Sequence, residues 1–166
     1  FANSAIVVSI DHEKNFGADI WGGMKMRRDL ETRAYKSVLD RGGSRELPAQ
    51  NLVDFLQGTN SKTGPRALRP GSSPSGAINV RLDELLPSNM RDRIRQGFEN
   101  FQRSMKGFIT EEAQVYGVES RTSCPIRITR DHESLQSISH AGLYPAGEGA
   151  GYAGGITSAA CDGVRI

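Results

Sequence analysis

One acidic residue lies in the most glycine-rich part of this chain. Six glycines fall within residues 142–155, and Glu148 is the only Asp, Glu, Lys or Arg residue between Glu133 and Asp162. Glycine has no Cβ, so a ligand can approach the backbone closely and the chain can turn with positive φ. A helix that begins in such a turn directs unpaired amides and its positive dipole end at an anionic or electron-rich group. The pattern therefore predicts a cofactor site in which Glu148 accepts hydrogen bonds from sugar or ribitol hydroxyls. The alternative is a tight strand-to-helix turn whose glycines only permit close packing.

Three other segments accompany this turn in a fixed order. They are ANSAIVVSI at residues 2–10, LPAQNLVDFL at 47–56 and GVESRTSCPIRITRD at 117–131, before GLYPAGEGAGYAGGITSAACDG at 142–163. Together the four segments resemble the C-terminal portion of the FAD-dependent dehydrogenases or oxidoreductases of bacteria and plastids. These are flavoproteins similar to those with two dinucleotide-binding domains. The resemblance extends over essentially the whole chain, so it does not depend on the glycine-rich turn alone.

The resemblance implies that the cofactor is FAD and that Glu148 contacts its ribitol chain. It also implies that the helix after the turn points its N-terminus at the pyrimidine side of the isoalloxazine. The residues that would line the cofactor are Gly147, Glu148, Gly149, Ala150, Gly151, Tyr152, Ala153, Gly154 and Gly155.

A second polar cluster, ESRTS, lies between two predicted strands. Residues i and i+2 share one face of a strand, so Arg121 can simply pair with Glu119. Alternatively, Arg121 is a catalytic residue whose guanidinium stabilises the anionic reduced flavin or anchors a carboxylate substrate. Ser123 is then a flavin-proximal candidate. Both accounts stay open at this point.

Two further motifs contain polar residues that could approach the flavin or the substrate. Asn3 and Ser4 belong to ANSA, and Gln50 belongs to PAQ. The alternative role is capping, with Asn3 closing a turn and Gln50 in the first turn of a helix. Capping is slightly favoured for Gln50, and the residues do not decide the role of Asn3.

The complete dinucleotide-binding unit, in which GxGxxG follows a first strand and an acid lies about twenty residues further on, would hold the ADP half of FAD and does not occur in the chain. The chain also begins at Phe1 without an initiator methionine. We therefore expect a C-terminal portion of a longer flavoprotein, with the missing N-terminal portion of the same protein as a partner. On this view the isolated chain binds FAD weakly or not at all.

The composition argues against several classes of protein. With 37% hydrophobic residues, 24% charged residues and a net charge of +2, no nucleic-acid partner is predicted. No apolar run approaches the ~20 residues of a membrane span. Cys124 and Cys161 form no CxxC pair, so neither a disulfide framework nor a metal site is predicted. The expected location is a reducing compartment, the bacterial cytoplasm or the plastid stroma.

The predicted fold class is α/β. Residues 1–8 and 117–166 are assigned to a three-layer FAD-binding domain, and residues 9–116 to an inserted α+β substrate or cap region. The pattern predicts strands at residues 4–10, 113–118 and 124–130, with a short strand before the glycine-rich turn. It predicts helices at 19–39, 48–57 and 89–105, and a long loop at 58–77. The apolar residues of the 89–105 helix repeat at spacings of three and four, which indicates core packing. They are Met90, Ile94, Phe98, Phe101 and Met105.

The predicted function is that of an FAD-dependent oxidoreductase in which hydride passes through flavin N5, with a small-molecule substrate or redox donor still unknown. The alternative is a non-catalytic subunit, derived from a flavoprotein, within a larger protein assembly. An NAD(P)-dependent dehydrogenase without flavin is disfavoured because the complete dinucleotide-binding unit is absent and because the turn is of the GE type.

Overall fold

The computed structural model describes residues 2–166, and the chain divides into two compact units. The N-terminal unit ends at Val118, and the C-terminal unit is Glu119–Ile166. The helices and strands, in chain order, are α1 (His12–Phe16), α2 (Gly22–Leu39), β1 (Leu47–Asn51), α3 (Leu52–Gln57), β2 (Ala77–Asn79), α4 (Leu82–Leu85), α5 (Ser88–Ser104), β3 (Gln114–Tyr116) and α6 (Ile156–Arg165). The architecture is a small mixed α/β arrangement.

A three-stranded sheet organises the N-terminal unit, with β1 in the centre of the order β2-β1-β3. β1 is parallel to β2, with Ala49 opposite Asn79, and antiparallel to β3, with Gln50 opposite Val115. Because β1 has a neighbour on both sides, four of its five residues are buried. Side chains of the central strand therefore lie inside the unit.

The hydrophobic core of the N-terminal unit lies against this sheet. Its buried residues come from α3, the residue after β2, α4 and α5, and they are Leu52, Phe55, Val80, Leu82 and Phe98. The rings of Phe55 and Phe98 meet edge to face at 6.4 Å between centroids, a favoured geometry for aromatic pairs. The predicted role of the α5 stripe as core packing is thus confirmed for Phe98. Met105 is 48% exposed because the helix ends at Ser104, one residue earlier.

Two predicted elements of the N-terminal unit are wrong. Residues 4–10 form no strand, because no other strand among the described residues pairs with them. A strand needs a ladder partner for its backbone groups. The segment 48–57 is not one helix, because Leu47–Asn51 is β1 and the helix begins only at Leu52. The side chain of Asn51 caps that helix by accepting the amide of Val53 at 2.9 Å.

Other predicted elements agree with the structure. The helix predicted at 19–39 is α2, and Asp19 accepts the amide of Trp21 at 3.0 Å just before the helix begins. The strand predicted at 113–118 is β3, although it is shorter at both ends. The predicted loop at 58–77 has no helix or strand before Ala77, where β2 begins.

The C-terminal unit has little regular structure before α6. The strands predicted at 124–130 and before the glycine-rich turn are wrong, since only an isolated bridge joins Arg130 to Ser137. Pro125 lacks an amide hydrogen, which weakens this segment as a strand. The helix predicted after the glycine-rich turn is confirmed as α6. The assignment of the two units to an FAD-binding domain and a cap stays a prediction.

Within residues 2–166, no helix is both long and apolar enough to span a membrane.

Candidate functional site

The glycine-rich turn at residues 142–155 is held in place by one partly buried ion pair. Arg130 donates from both terminal nitrogens to the two carboxylate oxygens of Asp162, at 2.9 and 2.6 Å. The side chain of Arg130 is 5% exposed and that of Asp162 is 12% exposed. Arg130 also donates to the carbonyl of Pro145 at 2.6 Å, and the amide of Gly147 donates to Asp162 at 2.9 Å. These bonds connect α6 to the beginning of the turn.

The same contacts explain the acidity of Asp162. The hydrogen bonds from the Arg130 guanidinium, and next the amide of Gly147, stabilise the carboxylate and lower the pKa of Asp162 to about 2. Sequence reasoning missed both Arg130 and Asp162, because they are 32 residues apart and no local motif connects them.

Tyr152, predicted to line the cofactor, is a packing residue in this arrangement. The guanidinium carbons of Arg130 and Arg127 lie 3.8 and 4.9 Å from its ring centroid. Its hydroxyl accepts the amide of Arg130 at 2.9 Å. Tyr152 also lines a cleft of about 250 Å³ together with His132 and Arg165. Cation–π contacts of this kind stabilise the unit itself.

The glycines of the turn serve two different purposes. Gly147 and Gly151 have positive φ values of 64° and 81°. A Cβ at Gly151 would lie 2.5 Å from the carbonyl oxygen of Ile126, so this residue must be glycine for close packing as well. Gly149 has open space at its Cβ position, and the nearest atom at Gly154 is the Cβ of Ser123, 3.9 Å away. Close packing thus accounts for part of the glycine pattern and leaves Gly149 accessible. Ala150 is buried, and its carbonyl accepts the amide of Ile128 at 3.1 Å.

The acid of the turn is paired with the second predicted cluster. Arg121 lies 3.7 Å from a carboxylate oxygen of Glu148, and the two side chains are 42% and 40% exposed. The structure pairs Arg121 with Glu148 and not with Glu119, the alternative partner considered from the sequence. Because Ser123 lies beside Gly154, the structure brings Arg121, Ser123 and Glu148 to the same turn.

The start of α6 adds hydrogen-bond donors beside Gly155. The Ser158 hydroxyl accepts the amide of Gly155 at 3.2 Å and donates to its carbonyl at 3.0 Å. Within the described chain, the amides of Ile156 and Thr157 have no acceptor, as is usual in a first helical turn. Free amide donors and a half-exposed carboxylate therefore lie within ten residues of each other in the chain.

The remaining predicted site residues belong to the N-terminal unit. Asn3 and Ser4 are exposed. Gln50 is fully buried in β1, so the helix-capping role expected for it is wrong. Its amide nitrogen donates to Asp83 and to the carbonyl of Thr59, both at 2.8 Å, and its amide oxygen accepts the amide of Asp83 at 3.2 Å. Each polar atom of the Gln50 side chain is therefore used by the protein.

Asp83 is a buried acid that sequence reasoning missed. Arg81 donates to both of its oxygens, at 2.7 and 2.6 Å. Burial alone would raise the pKa of Asp83, but the hydrogen bonds from Arg81 and Gln50 outweigh it and lower the pKa below its usual value. The spacing RLD places Arg81 and Asp83 two residues apart, a weak signal that many surface segments share.

In residues 2–166, no three His, Cys, Asp or Glu side chains are grouped so that they could hold a metal ion.

Comparison with known proteins places the chain in a family. The family described as "FAD-dependent protein, C-terminal domain-like" matches residues 1–122. The chain belongs to this family. The match includes Asn3, Ser4, Gln50 and Arg121, and it ends before the glycine-rich turn. Membership therefore supports FAD and a flavoprotein-related role independently of that turn.

A bacterial relative extends the comparison over the glycine-rich turn. An uncharacterised protein of Clostridium beijerinckii is 40% identical over 166 residues, which is 99% of this chain. The chain spans 30% of the length of that relative. The similarity therefore includes both units of the structure.

Proposed function

We propose that this chain is the C-terminal portion of an FAD-dependent oxidoreductase and that the glycine-rich turn contributes to its flavin site. One observation supports this most strongly. Glu148 is half exposed on a turn held by Asp162, and Arg121 of the family-matched region lies beside it. The matched region and the turn thus supply neighbouring polar groups.

The residues of the turn fit the ribitol part of a flavin. Glu148 offers a carboxylate that accepts hydrogen bonds from hydroxyl groups, and the open Cβ position of Gly149 leaves room for close approach. The free amides of Ile156 and Thr157 offer donors to an electron-rich edge. The flavin, when bound, supplies hydride transfer through N5.

In this proposal Arg121 supplies a positive charge beside the flavin site. An ion pair between two half-exposed side chains contributes only about 0–1 kcal/mol, so Glu148 can exchange it for a ligand at little cost. The guanidinium released from that pair can then meet the anionic form of the reduced cofactor or a carboxylate substrate. Asn3, Ser4 and Ser123 are the further candidates for contact with flavin or substrate.

The test is an absorbance spectrum of the full-length protein between 300 and 550 nm, followed by heat release of the chromophore. We expect bands near 370 and 450 nm, roughly the positions typical of oxidised flavin, and FAD in the supernatant. A full-length protein that purifies colourless and gains no flavin absorbance on reconstitution would contradict the proposal.

A second candidate is a non-catalytic subunit of a larger assembly. Exposed apolar residues of α6 favour it, since Ile156 and Val164 are 93% and 89% exposed and lie eight residues apart on one helix face. Exposed apolar patches commonly mark interaction surfaces. We propose the remainder of the same, longer protein as the partner. Replacement of Glu148 or Arg121 separates the two candidates. If the protein is a non-catalytic subunit, the complex stays intact in these variants. If it is an enzyme, the variants lose redox turnover.

We place the protein in the bacterial cytoplasm or the plastid stroma. Cys124 and Cys161 are both free thiols, which fits a reducing compartment.

A further inference from the structure

A cleft in the N-terminal unit is lined by none of the residues proposed to contact the flavin. It has a volume of about 320 Å³ and is lined by the second half of α2, the two residues after that helix, the two residues between β2 and α4, and the end of α4. Leu85 is partly exposed and supplies apolar surface, whereas Val80 closes the base of the cleft as a fully buried core residue. Small-molecule sites combine an apolar surface with a few polar groups, and their volumes begin at roughly 300 Å³.

The polar lining of the cleft contains two cations without a carboxylate partner. Lys36 and Arg41 form no ion pair within the described chain. Arg41 is nevertheless oriented, because one terminal nitrogen donates to the carbonyl of Ser37 at 2.9 Å. The rest of its guanidinium remains available for a bidentate contact with a carboxylate or phosphate.

Arg33 is a third cation of the lining. Arg33 pairs with Asp29 through one terminal nitrogen at 2.9 Å. Its Nε is buried and has no hydrogen-bond partner among the described residues. A buried donor without a partner is costly and requires an explanation, and a bound acceptor is one.

The acids of the cleft do not cancel this charge. Glu84 is held by Arg81 at 3.2 Å, and Arg81 also binds Asp83. Asp40 is the one further acid of the lining, and its single negative charge stands beside the two positive charges of Lys36 and Arg41.

Cations are also common near the C-terminus of a helix, where they stabilise the helix dipole without any ligand. The experiment must therefore separate these two roles.

We propose that the cleft between α2 and α4 binds a small organic anion, with its carboxylate or phosphate group held by Lys36 and Arg41 and its apolar part against Leu85. The site goes beyond the flavin proposal and does not depend on it, because none of its residues belongs to the glycine-rich turn.

The test is calorimetric titration of the 166-residue chain with two probes, inorganic phosphate and hexanoate. We expect saturable binding of at least one of them. A preference for hexanoate identifies a carboxylate ligand, and a preference for phosphate identifies a phosphate monoester. Lys36→Ala and Arg41→Ala should each weaken binding about tenfold, the usual effect of losing one charge-assisted hydrogen bond.

Arg28→Ala is the matched control, because Arg28 lies on the same helix, is exposed and does not line the cleft. This variant should bind as the native chain does. The proposal is overturned if the native chain binds neither probe saturably, or if Arg28→Ala weakens binding as much as Lys36→Ala. Lys36→Gln and Arg41→Gln, checked by circular dichroism, replace any alanine variant that does not fold. Unchanged affinity in these folded variants would also overturn the proposal.

Discussion

Arg130 and Asp162 form a bidentate ion pair across 32 residues of sequence, and this pair connects α6 to the glycine-rich turn. Asp162 also accepts the amide of Gly147, the residue before Glu148. The position of Glu148 therefore depends on Asp162. The proposed flavin contact is thus set by a residue that has no contact with flavin in the proposal.

We expect acid to loosen the C-terminal unit through Asp162. Its pKa is lowered to about 2 in the folded chain, whereas an unperturbed Asp titrates near about 3.9. The stabilisation is therefore complete above pH ~4 and is lost as the pH falls towards 2. Thermal unfolding of the native chain between pH 2 and 6 measures it.

Asp162→Asn is the control for this pH dependence, because Asp54 and Asp83 also have lowered pKa values and add to the total. The variant should be less stable at pH 6 and lose less stability on acidification. Parallel pH profiles for the two chains would show that the ion pair is not responsible.

Gly151→Ala should destabilise the C-terminal unit. Gly151 has a φ of 81°, and an added Cβ would meet the carbonyl oxygen of Ile126 and the Cα of Arg127. Strained backbone alone costs of order 1–3 kcal/mol, and the contact adds to that. Amide hydrogen exchange of residues 126–151 measures the loss of protection.

Gly149→Ala is the matched substitution in the same turn, since its Cβ position is open and its φ is not positive. We expect its exchange pattern to stay close to that of the native chain. Equal loss of protection in both variants would contradict the packing role assigned to Gly151.

Gln50→Leu should destabilise the N-terminal unit by about 2–3 kcal/mol. The substitution removes the amide that donates to Asp83 and to the Thr59 carbonyl, which leaves buried polar groups without a partner. Urea unfolding gives the free energy. Gln96→Leu, on the exposed surface of α5, should change it by less than about 0.5 kcal/mol. A native-like midpoint for Gln50→Leu would mean that the buried hydrogen bonds contribute little.

Glu148→Ala should weaken FAD retention in the full-length protein about tenfold, because a charge-assisted hydrogen bond to the ribitol is lost. Dialysis against buffer, followed by the absorbance of retained flavin, measures this effect. Glu133→Ala removes another exposed acid from the same unit and should retain flavin normally. Unchanged retention in Glu148→Ala would show that the ribitol contact is wrongly assigned.

Local patterns in the sequence predicted the elements that depend on local physics. The core-facing stripe of α5, the existence of α2 and the helix after the glycine-rich turn follow from periodicity and glycine content. The four ordered segments also indicated the FAD-dependent family, and the family match at residues 1–122 agrees.

The tertiary structure alone decided which polar residues meet. Gln50 lies in a buried central strand because β2 and β3 pair with β1 on either side, and Asp83 reaches it from 33 residues away. In the C-terminal unit, the folding of the loops before α6 brings Arg130 to Asp162 and Arg121 to Glu148. Hydrophobic periodicity and capping act over a few residues and can be recognised in the sequence, whereas pairing between distant side chains depends on how the whole backbone is arranged.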